Sequence, residues 1–285
     1  MTALSQVLRN ARSQLTTALA LQPEVAALEA HMLLGHALNK SRTYLLANPE
    51  QVLDEMALSP FTDLLNRRLQ GEPIAYLVGQ REFYGLEFSV TPAVLIPRPE
   101  TELLVDLALA QLPQQQTLRV LDLGSGSGAI ALSLAKMRPH SRVTAVDISP
   151  AALAIARLNA ERLDIHNIQF VESDWFQALS PDSRFDLIVS NPPYIAQNDP
   201  HLLQGDVRFE PIQALRSGAD GLQDIRHIAE AARGFLPAQG RLMFEHGYNQ
   251  QSACADLLES LGYVGIVCHR DLSGQPRVTM GDRPP

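Results

Sequence analysis

Apolar residues in the first part of the chain recur at intervals of three and four positions, the pattern of one buried helix face. One such run extends from Leu4 to Leu19, and a second begins at Pro23 and ends near Leu38. A third helix is predicted to have Ser59 as its cap and Pro60 in its first turn. These runs predict a small helical domain over residues 1–75.

The pattern then becomes strand-like, and Gly85 supplies a turn, which predicts a β-hairpin linker over residues 76–95. Over residues 96–285, predicted strands alternate with predicted helices. The strands are expected near Arg119–Leu123, Arg142–Asp147, Ile168–Val171, Phe185–Ser190, Arg241–Glu245, Tyr263–Cys268 and Arg277–Met280. The helices are expected near Glu100–Gln111, Gly128–Met137, Pro150–Leu163, Leu222–Phe235 and Gln250–Ser260. Such alternation predicts an α/β fold with a mostly parallel sheet, whose ligands bind beyond the carboxyl ends of the strands.

Composition narrows the class of protein. The 285 residues carry a formal net charge of −8, so a chain held to nucleic acid by counterion release is disfavoured. The two cysteines form no CxxC pair, and the eight histidines show no metal spacing, so no metal site is predicted. No apolar run approaches the roughly 18 residues of a membrane span, and we expect a cytoplasmic protein.

A glycine-rich loop follows the first predicted strand of the α/β domain. It reads Gly124-Ser125-Gly126-Ser127-Gly128, and all five residues are candidate cofactor-binding residues. Glycine allows the backbone to turn tightly and approach a ligand closely. The stretch also fits the dinucleotide pattern G-x-G-x-x-A, and a strand-to-helix turn without special purpose is a third interpretation.

Acidic and aromatic residues follow the next two predicted strands. Asp147 ends the second strand, where a carboxylate can accept hydrogen bonds from both ribose hydroxyls, although it could also cap the next helix. Asp174 and Trp175 suit a purine and its exocyclic amine, although a single Trp is more often part of a core. Asp122, at the end of the first strand, is a further candidate cofactor-binding residue.

The segment Asn191-Pro192-Pro193-Tyr194 follows the fourth predicted strand directly. Two consecutive prolines cannot continue a sheet and make the backbone stiff. The side-chain oxygen of Asn191 and the main-chain carbonyl of Pro192 could together accept both hydrogens of a planar NH2 group. An ordinary turn at the end of a strand is the alternative.

At these residues the sequence resembles the S-adenosylmethionine-dependent methyltransferases with seven-stranded Rossmann-like domains. With the segment 95–102 (Leu-Ile-Pro-Arg-Pro-Glu-Thr-Glu) and the helical N-terminal domain, it resembles more narrowly the HemK/PrmC family, the protein-(glutamine) methyltransferases of peptide chain release factors. The resemblance extends over nearly the whole chain. It implies methyl transfer from S-adenosyl-L-methionine, leaving S-adenosyl-L-homocysteine, to the glutamine amide of the Gly-Gly-Gln loop of class I release factors.

The resemblance also implies roles for residues outside the two motifs. Arg98, Glu100 and Thr101 are expected to line or close the cofactor site, although they could simply form a loop and a helix start. Arg208 and Glu210 are expected either to frame the substrate channel or to form surface ion pairs.

The resemblance assigns the catalytic and substrate-binding roles to the four residues 191–194, with Asn191 also touching the cofactor. Asn191, Pro192 and Tyr194 are the predicted catalytic residues, and the N-terminal helical domain is expected to bind the release factor. No direct nucleic-acid or membrane partner is predicted, and we expect a monomer.

Four alternatives remain at this point. A glutamine methyltransferase of a ribosomal protein would use the same chemistry, and an adenine-amine DNA methyltransferase would hold a flipped base with the same four residues. A nicotinamide-dependent oxidoreductase would explain the glycine loop but leave residues 191–194 without a role. A binding protein with an inactive site is the fourth alternative.

Overall fold

The computed structural model describes all 285 residues. The chain divides into two compact units. The first, the helical unit, contains residues 1–80 and 205–209, and the second, the sheet unit, contains residues 81–204 and 210–285.

Five helices and one short pair of strands build the helical unit. The helices are α1 (Leu4–Leu19), α2 (Pro23–Leu38), α3 (Arg42–Ala47), α4 (Glu55–Leu69) and α5 (Ile74–Val78). Strands β1 (Thr2–Ala3) and β2 (Val52–Leu53) pair in antiparallel fashion. In α1 the buried residues are Leu4, Val7, Ala11 and Leu15, so the apolar spacing of the sequence faces the core of this unit.

The predicted start of the third helix is wrong. Helix α4 begins at Glu55, because the Asp54 side chain accepts a hydrogen bond from the Ala57 N–H at 2.8 Å and caps the helix there. Pro60 lies inside the helix and not in its first turn. Its missing N–H leaves the Met56 carbonyl without the usual donor, but Met56 is largely exposed, so water can reach that turn.

Two short helices lie where none was predicted. Ser41 caps α3 by accepting a hydrogen bond from the Tyr44 N–H at 3.2 Å. Pro73 precedes α5, and Gly79, at φ +72°, ends it. Pro73 was predicted only to stop the preceding helix. It also begins α5, because the first residues of a helix need no backbone N–H donor.

A buried arginine joins three segments of the helical unit. Arg68, on α4, donates hydrogen bonds to both carboxylate oxygens of Glu29 on α2, at 2.8 and 3.1 Å. It also donates to Asp206 at 3.0 Å, so residues 205–209 are fastened to this unit. Removing one partner of such a pair would leave a buried charge without compensation.

The predicted hairpin is present. Strands β3 (Gln80–Phe83) and β4 (Leu86–Ser89) are joined by Tyr84 and Gly85, whose φ angles of +53° and +72° match a type I′ turn. Phe83 and Phe88 contribute their side chains to the core of the sheet unit, where their rings meet edge to face.

Seven strands form the central sheet, and the predicted α/β class is confirmed. They are β5 (Arg119–Leu123), β6 (Arg142–Asp147), β7 (Ile168–Glu172), β8 (Leu187–Ser190), β9 (Arg241–Glu245), β10 (Val264–Arg270) and β11 (Pro276–Asp282). Their order is β10-β11-β9-β8-β5-β6-β7, and only β11 is antiparallel to its neighbours. The last two strands are longer than predicted because they pair with each other as a hairpin.

Helices cover both faces of this sheet. They are α6 (Glu102–Gln111), α7 (Ala129–Met137), α8 (Pro150–Arg162), α9 (Gln223–Phe235) and α10 (Gln251–Ser260), with one turn of 3-10 helix at Pro99–Thr101 before α6. Two apolar clusters fill the space between sheet and helices, one containing residues of α6 and α7 and the other residues of α9 and α10. None of these helices combines the length and the apolar composition that a membrane span requires.

Candidate active site

The register of the parallel strands brings distant parts of the sequence to one edge of the sheet. Leu123 is paired with Val146 on one side and with Ser190 on the other, and Ser190 is paired with Phe244. The chain leaves β5 toward β6 and β7 and then returns to β8 on the other side of β5. Ligands of open α/β sheets bind at such a reversal of strand order.

The glycine loop occupies this point, directly after β5. Gly124, Gly126 and Gly128 all have positive φ angles, between +55° and +83°, which favour glycine. The N–H groups of Gly124 and Ser125 both donate to the carbonyl of Val146, at 2.8 and 2.9 Å. The loop is therefore fastened to the neighbouring strand.

Asp147 connects the second strand to the same loop. Its carboxylate accepts hydrogen bonds from the N–H groups of Gly126 and Ser149, each at 2.8 Å. Burial raises the pKa of Asp147, and the hydrogen bonds from Ser149, Gly126 and Ile148 oppose that rise. The side chain is half-buried and lines the cavity described next, so it organises the loop and also faces the cavity.

A cavity of about 600 Å³ lies over this edge of the sheet. Seven of the predicted site residues line it: Gly124, Gly126, Asp147, Asp174, Trp175, Asn191 and Pro193. Ser125, Ser127, Gly128, Asp122, Pro192 and Tyr194 lie beneath or beside it without lining it. One cavity thus joins the glycine loop to the first and third residues of the segment 191–194.

The sequence assigned no site role to the rest of the cavity wall, although Leu95 belongs to the segment 95–102 that carries the resemblance. The remaining lining residues come from the segment before α6, from the ends of β6 and β7, from the start of α8, and from the region after residue 194: Ala93, Val94, Leu95, Val146, Ile148, Ser149, Ala152, Ser173, Gln197, Pro211, Ile212, Gln213, Ala214, Arg216, Gly218, Gln223 and Asp224. Most of these residues are in irregular loops, which carry no periodic signal.

Trp175 lies against the glycine loop. A methyl group added to Gly124 would be 3.5 Å from ring carbon Cζ3 of Trp175, so the ring and the loop are in close approach. Trp175 has a φ of +49°, an uncommon conformation for a large residue. Asp174 accepts a hydrogen bond from Gln177 at 2.7 Å and keeps its place on the cavity wall.

Asp122 is fully buried at the end of β5, beneath the loop. Neither of its carboxylate oxygens has a hydrogen-bond partner. Burial raises the pKa of Asp122 to about 7, against smaller opposing effects of Ser125 and the Ala131 N–H. A buried carboxylate without a partner is costly, and such groups concentrate at functional sites.

The segment 191–194 continues from β8. Both of its polar side chains are linked to the buried carboxylate of Glu245. The Tyr194 hydroxyl donates to Glu245 directly, at 3.2 Å. Asn191 is linked through Thr101, because Asn191 Nδ2 donates to Thr101 Oγ1 at 3.1 Å and Thr101 donates to Glu245 at 2.6 Å. Burial and the nearby Glu245 charge raise the pKa of Tyr194 well above its usual range, so its hydroxyl keeps its proton.

Gln250 secures the backbone of this segment. Its Nε2 donates to the carbonyl of Tyr194 at 3.1 Å, and its Oε1 accepts from the Gly247 N–H at 2.8 Å. Sequence reasoning missed both Gln250 and Glu245. One signal could have found Glu245, because it ends an apolar strand with a carboxylate, as Asp147 does.

The three residues expected to line or close the cofactor site differ in their surroundings. Arg98 forms an ion pair with the buried Glu210, which also accepts from the Ile96 N–H at 3.2 Å. Glu100 is exposed, whereas Thr101 is buried against Asn191. None of the three lines the cavity. The ion pair of Glu210 is therefore partly buried, with the carboxylate inside the protein and the Arg98 guanidinium partly exposed.

Arg208 and His246 form hydrogen bonds within the protein itself. Arg208 donates a hydrogen bond to the Gln70 carbonyl at 2.6 Å inside the helical unit. His246 is buried, with its ring nitrogens 2.8 Å from the Gly247 carbonyl and from Thr279 Oγ1, and burial lowers its pKa. No group of three or more His, Cys, Asp or Glu side chains could hold a metal ion.

Two protein-family models match the chain. Residues 101–207 match the methyltransferase small domain, and residues 6–79 match the PrmC N-terminal domain. Among solved structures, a methyltransferase from Pyrococcus furiosus is similar in fold, with a TM-score of 0.55 and 16% identity over 79% of this chain and all of that one. A 16S rRNA methyltransferase from T. thermophilus, in complex with AdoMet and guanosine, has a TM-score of 0.52 and 22% identity, covering 72% of this chain and 49% of that one.

The sheet order, the glycine loop and the acidic strand end, together with these matches, define an S-adenosylmethionine-dependent methyltransferase. The release factor glutamine methyltransferase of Vibrio cholerae is 51% identical over 90% of this chain and 89% of its own length. Those of Salmonella typhimurium and Escherichia coli are 51% and 48% identical, each over 89% of this chain and 91% of their own lengths. The chain belongs to the release factor glutamine methyltransferase family.

Proposed function

We propose that this protein transfers a methyl group from S-adenosylmethionine to the side-chain amide nitrogen of the glutamine in the Gly-Gly-Gln motif of class I release factors. The observation that carries the proposal is the single cavity that is lined by Gly124 and Asp147 at one side and by Asn191 at the other. Donor and acceptor can meet there, next to a rigid array of hydrogen-bond acceptors.

The residues around the glycine loop fit S-adenosylmethionine. Asp147 offers carboxylate oxygens at a strand end, where a ribose binds in folds of this kind. Trp175 offers an aromatic face beside the loop, and Asp174 an acceptor for an exocyclic amine. The buried Asp122 has acceptors without partners below the loop, where a cationic ligand would reduce their cost. When bound, the cofactor supplies a methyl group activated by a positively charged sulfur.

Asn191 and Pro192 would position the glutamine amide. The nitrogen of an amide is a weak nucleophile because its lone pair is delocalised into the carbonyl, so geometry has to provide much of the rate. Positioning two reactants for attack can contribute roughly 7 to 11 kcal/mol. The Pro192 carbonyl accepts no hydrogen bond from the chain's own backbone, so it is available to a substrate N–H.

The two remaining residues of the segment shape the acceptor side. Pro193 lines the cavity and, with Pro192, keeps the backbone stiff. The Tyr194 ring would pack against the amide plane while its hydroxyl stays on Glu245. Proton removal before transfer is not required, because the amide nitrogen becomes acidic only as the methyl group is added.

The proposed partner is a folded protein that presents an exposed loop. We propose that the helical domain, predicted over residues 1–75, binds the body of the release factor while its glutamine reaches the cavity. The net charge of −8 means that electrostatic attraction would come from basic patches on the release factor. We propose a cytoplasmic location, because translation takes place there, and a monomer remains our prediction.

The decisive experiment offers labelled S-adenosylmethionine with four acceptors in separate reactions. These are a class I release factor, the same factor with its Gly-Gly-Gln glutamine substituted, a ribosomal protein and duplex DNA. We expect label only in the unsubstituted release factor. Label in the Gln-substituted factor, or preferential label in ribosomal protein or DNA, would contradict the proposal.

A matched variant tests the role of Asn191. Asn191→Ala removes the side-chain acceptor and should lower kcat by at least about 100-fold, the usual effect of losing one oriented hydrogen-bonding group at a reacting centre. Cofactor affinity, measured by calorimetry, should stay within a fewfold of wild type. An equal loss of cofactor binding would assign Asn191 to the cofactor and not to the amide.

A further inference from the structure

A chain of buried polar side chains lies behind Asn191, and the proposed function does not explain it. It begins at Glu245, which is 1% exposed at the end of β9. Thr101 Oγ1 lies 2.6 Å from Glu245 Oε2, and Asn191 Nδ2 lies 3.1 Å from Thr101 Oγ1. Tyr194 contacts the other carboxylate oxygen at 3.2 Å. Three segments distant in sequence therefore meet through side chains alone.

The chemistry of these groups gives the chain of hydrogen bonds one direction. An ionised carboxylate can only accept, so the hydroxyls of Thr101 and Tyr194 must both donate to Glu245. A hydroxyl has a single hydrogen, so Thr101 can only accept from Asn191. The Asn191 side chain can donate only through its NH2 group. Its Oδ1 is therefore the end that remains for the cavity.

We propose that Glu245 is a positioning residue which, through Thr101, fixes the orientation of the Asn191 amide so that Oδ1 faces the substrate. The inference rests on the proposed function, because only a substrate that donates an N–H needs an acceptor at this place. Without Glu245, Thr101 could donate to Asn191 Oδ1 instead. Asn191 would then present its NH2 group to the substrate NH2, and two donors would face each other.

Burial raises the pKa of Glu245, and the Glu100 charge adds to that rise. The hydrogen bonds from Thr101 and Tyr194 and the nearby Arg277 guanidinium oppose it, because each of these groups stabilises the ionised carboxylate. Arg277 is itself held by Asp271, with Nε donating to Oδ2 at 3.0 Å. The Glu245 carboxylate thus accepts hydrogen bonds from two hydroxyls and has the Arg277 guanidinium nearby.

Glu245 is not placed to act as a general base. It does not line the cavity, and the side chains of Thr101 and Asn191 stand between it and the substrate. An amide side chain does not relay a proton as an imidazole or a water does. The effect of Glu245 on the reaction is therefore exerted through the orientation of Asn191.

Nearly isosteric substitutions test this without a large change in volume. Glu245→Met keeps most of the volume but removes both acceptor oxygens, and Thr101→Val keeps the shape but removes the hydroxyl. Both should lower kcat by about 100- to 1000-fold, while the KM for release factor and the Kd for S-adenosylmethionine change less than about threefold. Thr101→Ser retains the hydroxyl and should keep kcat within about threefold of wild type.

Thr279→Val is the matched control. Thr279 is fully buried on β11, and its hydroxyl is hydrogen-bonded to His246 at 2.8 Å outside this chain of contacts. The Thr279→Val variant should be less stable than wild type, but its kcat should not fall to a comparable extent. Folded Glu245→Met or Thr101→Val enzyme with wild-type kcat would overturn the proposal, as would a loss in Thr101→Ser or Thr279→Val equal to that in Thr101→Val.

A second measurement needs no methyl acceptor. In ¹⁵N-labelled protein, the side-chain amide of Asn191 can be assigned by its absence in Asn191→Ala. Its hydrogen bond to Thr101 should slow solvent exchange, and Thr101→Val should speed that exchange at least tenfold. Unchanged exchange overturns the positioning role. A wild-type protein that shows slow exchange but labels no release factor contradicts the proposed function alone.

Discussion

The carboxylate of Asp147 accepts a hydrogen bond from the backbone N–H of Gly126 at 2.8 Å, so the end of the second strand of the sheet holds the glycine loop of the first. The two interpretations of Asp147, as ligand-binding group and as local cap, are compatible in this geometry. It also accepts from the Ser149 N–H at the start of α8. The same side chain thus shapes the loop and lines the cavity.

The main effect of Asp147→Ala should be weaker binding of the cofactor. The variant loses a charged acceptor for the ribose and the support of Gly126, and we expect the Kd for S-adenosylmethionine to rise about 10- to 100-fold. Calorimetric titration measures this directly. Asp164→Ala, an exposed carboxylate next to His166, is the control and should bind normally. Normal binding in both variants would exclude a cofactor role for Asp147.

Trp175 is the only tryptophan of the chain and lies on the cavity wall, so its fluorescence should report on the site. Adding S-adenosylmethionine or S-adenosylhomocysteine should change the emission, and Trp175→Phe should abolish the signal. Stacking on an aromatic ring contributes about 1 to 3 kcal/mol, so Trp175→Ala should raise the Kd by at least about fivefold. NAD should leave the emission unchanged, and a saturable NAD signal would favour the dinucleotide interpretation of the loop.

Asp122 should make stability depend on pH. Burial raises its pKa in the folded protein from 3.8 to about 7, so the proton is bound more tightly in the folded state than in the unfolded one. Its contribution is fully present below about pH 4 and is lost as pH rises toward 7. Asp122→Asn should therefore gain stability relative to wild type by up to roughly 2 to 3 kcal/mol between pH 5 and pH 7.

Urea denaturation at several pH values measures this difference for the cofactor-free protein. Asp182→Asn, at an exposed turn position, is the control and should run parallel to wild type. A constant difference between Asp122→Asn and wild type over this pH range would show that Asp122 does not titrate there.

Two glycines of the loop should respond differently to alanine. A Cβ on Gly126 would meet no atom within 4 Å and would project into open space at the cavity, so Gly126→Ala should impair cofactor binding more than stability. A Cβ on Gly128 would be 2.9 Å from Leu132 and 3.2 Å from Ala156, so Gly128→Ala should lower stability further. Both carry the strain of positive φ, about 1 to 2 kcal/mol.

Thermal unfolding and cofactor titration of the two variants separate these effects. Overpacking typically costs a further 1 to 3 kcal/mol, which should appear only in Gly128→Ala. Equal melting temperatures for the two variants would contradict this assignment of the loop.

Local pattern was enough to predict most elements of the fold. Helices α1 and α2 have the predicted bounds, and so do strands β5, β6 and β9, because each combines a clear apolar period with clear end signals. The start of α4 was predicted wrongly because two cap signals, at Asp54 and Ser59, competed within a few residues. The short helices α3 and α5 were not predicted, because five or six residues are too few to show a helical period of apolar positions.

The candidate site likewise has features that the sequence predicts and features that it does not. The glycine loop, Asp147 and the segment 191–194 are contiguous motifs at strand ends, so the sequence by itself determined the class of fold and was enough to predict a cofactor loop and an amide-binding motif. It could not determine that Thr101, Asn191 and Glu245 touch. That contact depends on β8 lying between β5 and β9 and on the pairing of Ser190 with Phe244. Strand order and register arise from packing over the whole sheet, and only the tertiary structure decides them.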